Sequence, residues 1–195
     1  MPSTRTRPPA RLALGAYLWL VRQGDVSPEA VYAAVDASRE HLEPWMPWAS
    51  GYRPAHARGF VMHAREAWQA DGEYDYAIVA RDGSVAGACG LHRRIGEGGL
   101  EIGYWVRADL VRRGIASRAA AALTGVAFTL DGIEQVEIHH DEANVASGGV
   151  PWRLGFTEVG RAPRAAEAPG CVGIEVVWRI TREELTEPES GPPWR

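Results

Sequence analysis

Residues 101–119 read EIGYWVRADLVRRGIASRA. Leu100 to Val106 has the composition of a strand, bounded upstream by Gly96, Gly98 and Gly99. A short basic turn with one glycine follows, and then an alanine-rich segment. Ile115, Ala119, Leu123, Val126 and Leu130 step by 4, 4, 3 and 4 residues, the period of a helix with one buried stripe. A strand that feeds a helix through a turn places several backbone N–H groups at the positive end of that helix, where they have no intrahelical acceptor. Such a group of amides binds phosphate oxygens. Arg112 and Arg113 add charge, and Gly114 and Ala116 let an anion approach the backbone closely. On its own the segment is only moderately specific, because an ordinary helix start with solvated arginines has the same form.

The elements on either side complete the pattern. Leu12 to Val21, with Tyr17 and Trp19, is expected to be a first strand. Ser27-Pro28-Glu29 has the form of a helix start, with serine as cap and proline in the first turn. That helix ends near Pro44, and Pro44 and Pro47 forbid a regular helix through Trp45 and Trp48. A second helix is expected from about Pro54 to Gln69. Tyr76 to Arg81 and Val85 to Leu91 flank Asp82-Gly83-Ser84, a strong hairpin signal. After the helix that starts at Gly114, a strand is expected over Ile133–His140 and a helix over Asn144–Leu154. Strands over Phe156–Arg161 and Val172–Ile180 close the chain. The predicted fold is a mixed α/β sheet flanked by helices. A single domain is expected over residues 1–195, with its core at about 11–181 and loose Pro-rich termini.

Composition narrows the function. The chain has 195 residues, 21 basic and 25 acidic, for a formal net charge of −4. That balance leaves no electrostatic footprint for nucleic acid. All 21 basic residues are arginine, which excludes a Schiff-base or P-loop lysine. Cys89 and Cys171 are far apart and have no His or Cys neighbours at metal-ligand spacing, so neither a disulfide scaffold nor a metal site is expected. No apolar run approaches the ~18–20 residues that cross a bilayer, so no membrane partner is expected. The basic N-terminus leads into mixed sequence rather than a signal-peptide core. A cytoplasmic location is the expectation, and the eight tryptophans leave a homodimer interface open.

The order of elements, the turn V111-R112-R113-G114-I115-A116 and the stretch DEANVASGGVPWRLGF at 141–156 together resemble the GNAT superfamily of acyl-CoA-dependent N-acetyltransferases. They are most similar to its RimJ/RimL type, whose members often carry an early Leu-x-x-Trp-x-x-Trp element, here Leu42, Trp45 and Trp48. The resemblance spans residues 11–181. One position departs from it: the family pattern for the turn begins with Gln or Arg, and here Val111 stands there.

The resemblance implies a mostly antiparallel sheet in which Glu101–Val106 is splayed from Ile133–His140. It implies acetyl-CoA as co-substrate. The backbone N–H groups of Arg112, Arg113, Gly114, Ile115, Ala116 and Ser117 would hold the pyrophosphate. Pantetheine would lie in the opening, with the acyl carbonyl bonded to strand backbone near Tyr104, Trp105 and Val106. Asn144 would contact the pantetheine arm, and the Ser147 hydroxyl would point at the thioester sulfur.

Chemistry gives that hydroxyl a purpose. Amine attack on a thioester expels a thiolate, which a nearby O–H can stabilise and protonate. Asn144 reads equally well as a helix cap. A general base must also take a proton from the substrate ammonium. Strand alternation puts Glu101, Gly103 and Trp105 on one face, and Glu101 resembles the base of some GNAT enzymes. His139, His140 and Asp141 compete with it. Adjacent strand histidines face opposite sides, so at most one is expected to reach the cleft. Trp45 and Trp48, on a stiff turn, are expected to wall the amine pocket or to plug the space between the two N-terminal helices.

The expected function is transfer of an acetyl group from acetyl-CoA to a primary amine, of a protein N-terminus or a small molecule, by direct attack in a ternary complex. A non-catalytic coenzyme A-binding module of the same fold is the alternative. Nucleotide binding at the same helix start is disfavoured, since the chain lacks both a Walker lysine and a G-x-G-x-x-G turn.

Overall fold

The computed structural model describes residues 6–186. Eight strands form one sheet: β1 (Arg11–Ala13), β2 (Leu18–Arg22), β3 (Glu73–Ala80), β4 (Val85–His92), β5 (Gly99–Val106), β6 (Gln135–Asp141), β7 (Thr157–Pro163) and β8 (Ile174–Thr181). Their spatial order is β1-β2-β3-β4-β5-β6-β8-β7. Every neighbouring pair is antiparallel except β5 and β6, which are parallel. The helices are α1 (Pro28–Asp36), α2 (Arg39–Leu42), α3 (Pro54–Gln69), α4 (Ile115–Ala127), α5 (Val145–Arg153) and α6 (Arg182–Thr186). Among the described residues no helix is long and apolar enough to cross a membrane.

Local chemistry explains most of these boundaries. Ser27 caps α1, its hydroxyl accepting from the Glu29 and Ala30 amides at 3.2 and 3.4 Å. The β3–β4 hairpin turns at Gly83, with φ +83°, and Asp82 accepts from the Ser84 amide at 2.9 Å. The apolar stripe of α4, Ile115, Ala119, Leu123 and Val126, is buried together with Leu100, Ile102 and Val106 of β5. The opposite face of the sheet is covered by α1 and α3, through Val31, Val35, Ala57 and Val61, in one cluster with Ala77 and, at its edge, Trp105.

Three expectations change. The stretch from Leu12 to Val21 is two strands, because Gly15 (φ +94°) turns the chain back. The first helix breaks at Ser38, whose hydroxyl accepts from the Ala108 amide at 3.1 Å, while the Arg39 guanidinium donates to the Ala49 and Tyr52 carbonyls. Part of the N-terminus expected to be loose is tied down: Arg7 pairs with Asp71 at 2.6 Å, and the Tyr76 hydroxyl donates to the Pro9 carbonyl at 2.7 Å. The remaining expected loose residues, 1–5 and 187–195, lie outside the described residues.

The connection between β5 and β6 matters most for function. It consists of three register pairs, Gly99 with Gln135, Leu100 with Val136 and Glu101 with Glu137. Beyond them β5 continues only with β4, and β6 only with β8. The sheet is open between Ile102–Val106 and Ile138–Asp141.

Candidate active site

A cavity of about 380 Å³ occupies this opening. Its walls are Glu101–Tyr104 of β5, His139–Asp141 of β6, Asn144 and Ser147 at the start of α5, Trp45 and Met46, and parts of the segment from Arg164 to Glu175. The cavity passes between strand edges, so residues from both faces of the sheet border it. That corrects the expectation that only one of the adjacent histidines can reach the cleft: His139 and His140 both line it.

The two histidines differ in their partners. His140 Nδ1 lies 2.8 Å from the Asp141 carbonyl, and its Nε2 accepts from Trp178 Nε1 at 3.0 Å. Both nitrogens are thereby occupied in the neutral ring. A Cβ on Gly148 would lie 2.7 Å from this imidazole, so α5 can approach β6 only with glycine there. His139 Nε2 lies 2.7 Å from Glu137, a buried carboxylate that also receives the Arg179 guanidinium at 2.7 Å.

Asp141 has a structural task. Its carboxylate accepts from the amides of Ala143 and Val172, both at 3.0 Å, and of Gly173 at 2.9 Å. Burial opposes its ionisation, but these amides outweigh that penalty and hold the carboxyl below the ordinary aspartate range. The bonds fasten the segment that carries Arg164, Glu167 and Cys171 over the cavity. The Glu101 side chain, on the face shared with Gly103 and Trp105, has no hydrogen bond or ion pair among the described residues.

At the head of α5, Asn144 Oδ1 accepts from the Ser147 amide at 3.1 Å, so Asn144 does cap the helix while also bordering the cavity. Tyr104 reaches α5 from β5: its hydroxyl donates to the Ser147 carbonyl at 2.9 Å and stands 3.1 Å from Ser147 Oγ. Burial pushes the Tyr104 phenol up to about 12, against a smaller opposing pull from Ser147.

The turn after the splayed end of β5 has the expected geometry. Arg112 (φ +59°) and Gly114 (φ +70°) are both left-handed, and the first amide bonded back into α4 is that of Arg118, to the Gly114 carbonyl at 3.0 Å. The space over Gly114 is open. The side chains of Val106 and Ile115 are buried in the core, so only their backbone is available to a ligand. The two tryptophans separate: Trp45 borders the cavity, whereas Trp48 packs on Trp105 and Tyr52, with ring centroids 6.2 and 5.6 Å apart.

Arg94, Arg164, Glu167, Cys171 and Glu175 also line the cavity and escape a sequence reading. They are scattered polar residues in no local motif, brought together by strand pairing and by the bonds from Asp141 to the Val172 and Gly173 amides. Glu73, Asp75 and His92 carry ligand-type atoms within 4.8 Å of one another. His92 Nε2 is bonded to Asp75 at 3.0 Å, and Arg94 stands 3.7 Å from Glu73, so these side chains already partner one another and Arg94.

A sheet opened between two parallel strands, with a free helix start beyond the opening, is the architecture of an acyl-CoA acetyltransferase. The chain belongs to the acetyltransferase (GNAT) domain family, whose model matches residues 20–157. It is 35% identical over 83 residues to a Bacillus subtilis (strain 168) protein named "Putative ribosomal N-acetyltransferase YdaF", a match over 42% of this chain and 45% of that protein. The chain thus spans less than half the length of that curated relative. Solved structures share the fold. RimL, a ribosomal L7/L12 alpha-N-protein acetyltransferase in complex with coenzyme A, superposes with a TM-score of 0.77 at 21% identity, covering 88% of this chain and 97% of that one. The microcin C7 self-immunity acetyltransferase MccE, in complex with acetyl-CoA and AMP, gives 0.78 at 17% identity over 89% and 97%. RimJ of Mycobacterium smegmatis, in complex with CoA-disulfide, gives 0.75 at 26% identity over 94% and 88%.

Proposed function

We propose that residues 11–181 act as one acyltransferase domain that moves an acetyl group from acetyl-CoA to a primary amine by direct attack in a ternary complex. The observation that carries this reading is the end of β5–β6 pairing at Glu101 and Glu137. It leaves unpaired strand edges beside a cavity lined by Glu101–Tyr104 of β5, and the chain runs on from that strand to the Arg112–Ser117 amides.

In this reading the amides of Arg112, Arg113, Gly114, Ile115, Ala116 and Ser117 hold the pyrophosphate, with the two guanidiniums beside them. Pantetheine lies along the opening past Asn144, and the acyl carbonyl accepts from β5 backbone within Tyr104–Val106. The acceptor enters past Trp45. Glu101 attracts its ammonium and takes one proton, directly or through water. The nitrogen lone pair then attacks the thioester carbon. The C–N bond forms, the C–S bond breaks, Ser147 gives the departing thiolate a proton, and water carries the second proton lost by the amide nitrogen back to Ser147. RimL and MccE, by their names, serve a ribosomal protein and self-immunity to a microcin. The amine here is accordingly a protein N-terminus or that of a small molecule.

The test is release of coenzyme A thiol from acetyl-CoA in the presence of peptides with free N-terminal serine or alanine and a set of small amines. Thiol release that depends on the amine, with an acetylated product by mass, supports the reading. Acetyl-CoA binding without turnover on any amine overturns it in favour of a coenzyme A-binding module.

A further inference from the structure

Ser147 is the fourth residue before Pro151, which lies inside α5. Proline has no N–H, so it cannot supply the i→i−4 bond that the Ser147 carbonyl would otherwise receive. The Tyr104 hydroxyl supplies a donor instead, at 2.9 Å, from a strand 43 residues away in sequence. The same oxygen is 3.1 Å from Ser147 Oγ. A phenol has one proton and can accept through its lone pairs. With that proton committed to the carbonyl, the contact between the two hydroxyls has Ser147 as donor and Tyr104 as acceptor. The Ser147 amide is held as well, by Asn144 Oδ1 at 3.1 Å. The Tyr104 ring is fixed by packing against the main core.

We propose that Tyr104 is a positioning residue for Ser147: it takes the carbonyl that Pro151 leaves without a donor, and thereby keeps its own oxygen as the resting place of the serine proton. This rests on the acetyl-transfer reading above. When the thioester occupies the cavity, the Ser147 O–H leaves the Tyr104 oxygen and turns to the sulfur, where the C–S bond breaks and the S–H bond forms. Tyr104 touches neither the sulfur nor the amine. It determines which way the serine hydroxyl donates. Pro151 is therefore part of the device, because a residue with an N–H at that place would satisfy the Ser147 carbonyl within the helix and free the phenolic proton to compete for Oγ.

A four-variant cycle tests this: wild type, Tyr104→Phe, Pro151→Ala and the double variant. Each is assayed for thiol release with acetyl-CoA and an N-terminal serine hexapeptide, and for melting temperature with and without acetyl-CoA. Tyr104→Phe is expected to lower kcat on the order of tenfold, the worth of one positioned hydrogen bond, to leave the KM for acetyl-CoA unchanged and to lower the melting temperature. Adding Pro151→Ala to Tyr104→Phe restores a donor to the Ser147 carbonyl. It is expected to recover melting temperature but not kcat. If kcat returns together with the melting temperature, Tyr104 merely fills a backbone bond and the inference is overturned. An unchanged kcat in Tyr104→Phe overturns it as well. Wild-type protein that binds acetyl-CoA and acetylates neither this peptide nor any other amine overturns the acetyl-transfer reading itself, and the role given to Tyr104 falls with it.

Discussion

Glu101 of β5 faces Glu137 of β6 at the last register pair that joins the two strands. The two carboxylates meet different surroundings. Glu137 is buried between Arg179 and His139, and its charge is compensated where it stands. Glu101 borders the cavity, and its carboxylate has no ion pair among the described residues. At the point where the sheet opens, one carboxylate is held by two side chains and the other lines the cavity.

Coenzyme binding is the first consequence to measure. Acetyl-CoA at about millimolar concentration should raise the melting temperature by mass action. Gly114→Pro should abolish the shift, because proline removes one N–H and cannot adopt the φ of +70° found there. Arg112→Ala should only weaken it, since an exposed side-chain charge contributes modestly. No shift for the wild type would refute the pyrophosphate assignment.

Ser147→Ala should lower kcat by roughly 10²-fold or less, the low end of general-acid contributions, while the acetyl-CoA thermal shift stays nearly intact. Loss of coenzyme affinity at unchanged kcat would make Ser147 a helix-start residue only.

The two tryptophans should part company in kinetics. Trp45→Ala should raise the KM for the amine well above any change in the KM for acetyl-CoA, because Trp45 borders the cavity. Trp48→Ala should cost about 1–2 kcal/mol of stability through its lost ring contacts, as judged by denaturant unfolding. An unaltered amine KM in Trp45→Ala would place the acceptor elsewhere.

Asp141→Asn should destabilise the protein by about 2–3 kcal/mol near neutral pH, since an amide cannot accept from three backbone donors and its NH₂ meets one of them. The folded carboxyl is held below its ordinary range, so the stabilisation is complete above an unfolded value of about 4 and is lost as pH falls through the depressed folded value. The melting temperatures of wild type and variant should therefore converge in acid. A constant difference down to about pH 2 would contradict the role given to these three bonds.

Local order was legible along the chain wherever one segment carries its own instructions. The α3 boundaries, Pro54 and Gln69, match those expected, with Phe60, Ala64 and Trp68 at helical spacing. The Asp82-Gly83 hairpin and the start of α4 after Gly114 follow from turn chemistry that involves only neighbours. The break at Ser38 was not legible, because the hydroxyl there bonds the Ala108 amide, 70 residues on.

The candidate site divides in the same way. The amino-acid sequence by itself determined the free helix start at Gly114, the cap at Asn144, the place of Ser147 in the first turn of α5 and the stiff Pro44–Pro47 turn, because each depends on residues within about four positions of one another. The tertiary structure alone decided that β5 and β6 stop pairing after Glu101 and Glu137. It also decided that both His139 and His140 border the opening, that Asp141 fastens the Val172–Gly173 backbone, and that Tyr104 answers the carbonyl Pro151 leaves unpaired. Those contacts join segments tens of residues apart. Which of them forms depends on how the competing strands and helices divide the available donors and apolar faces, and no local period in the chain encodes that outcome.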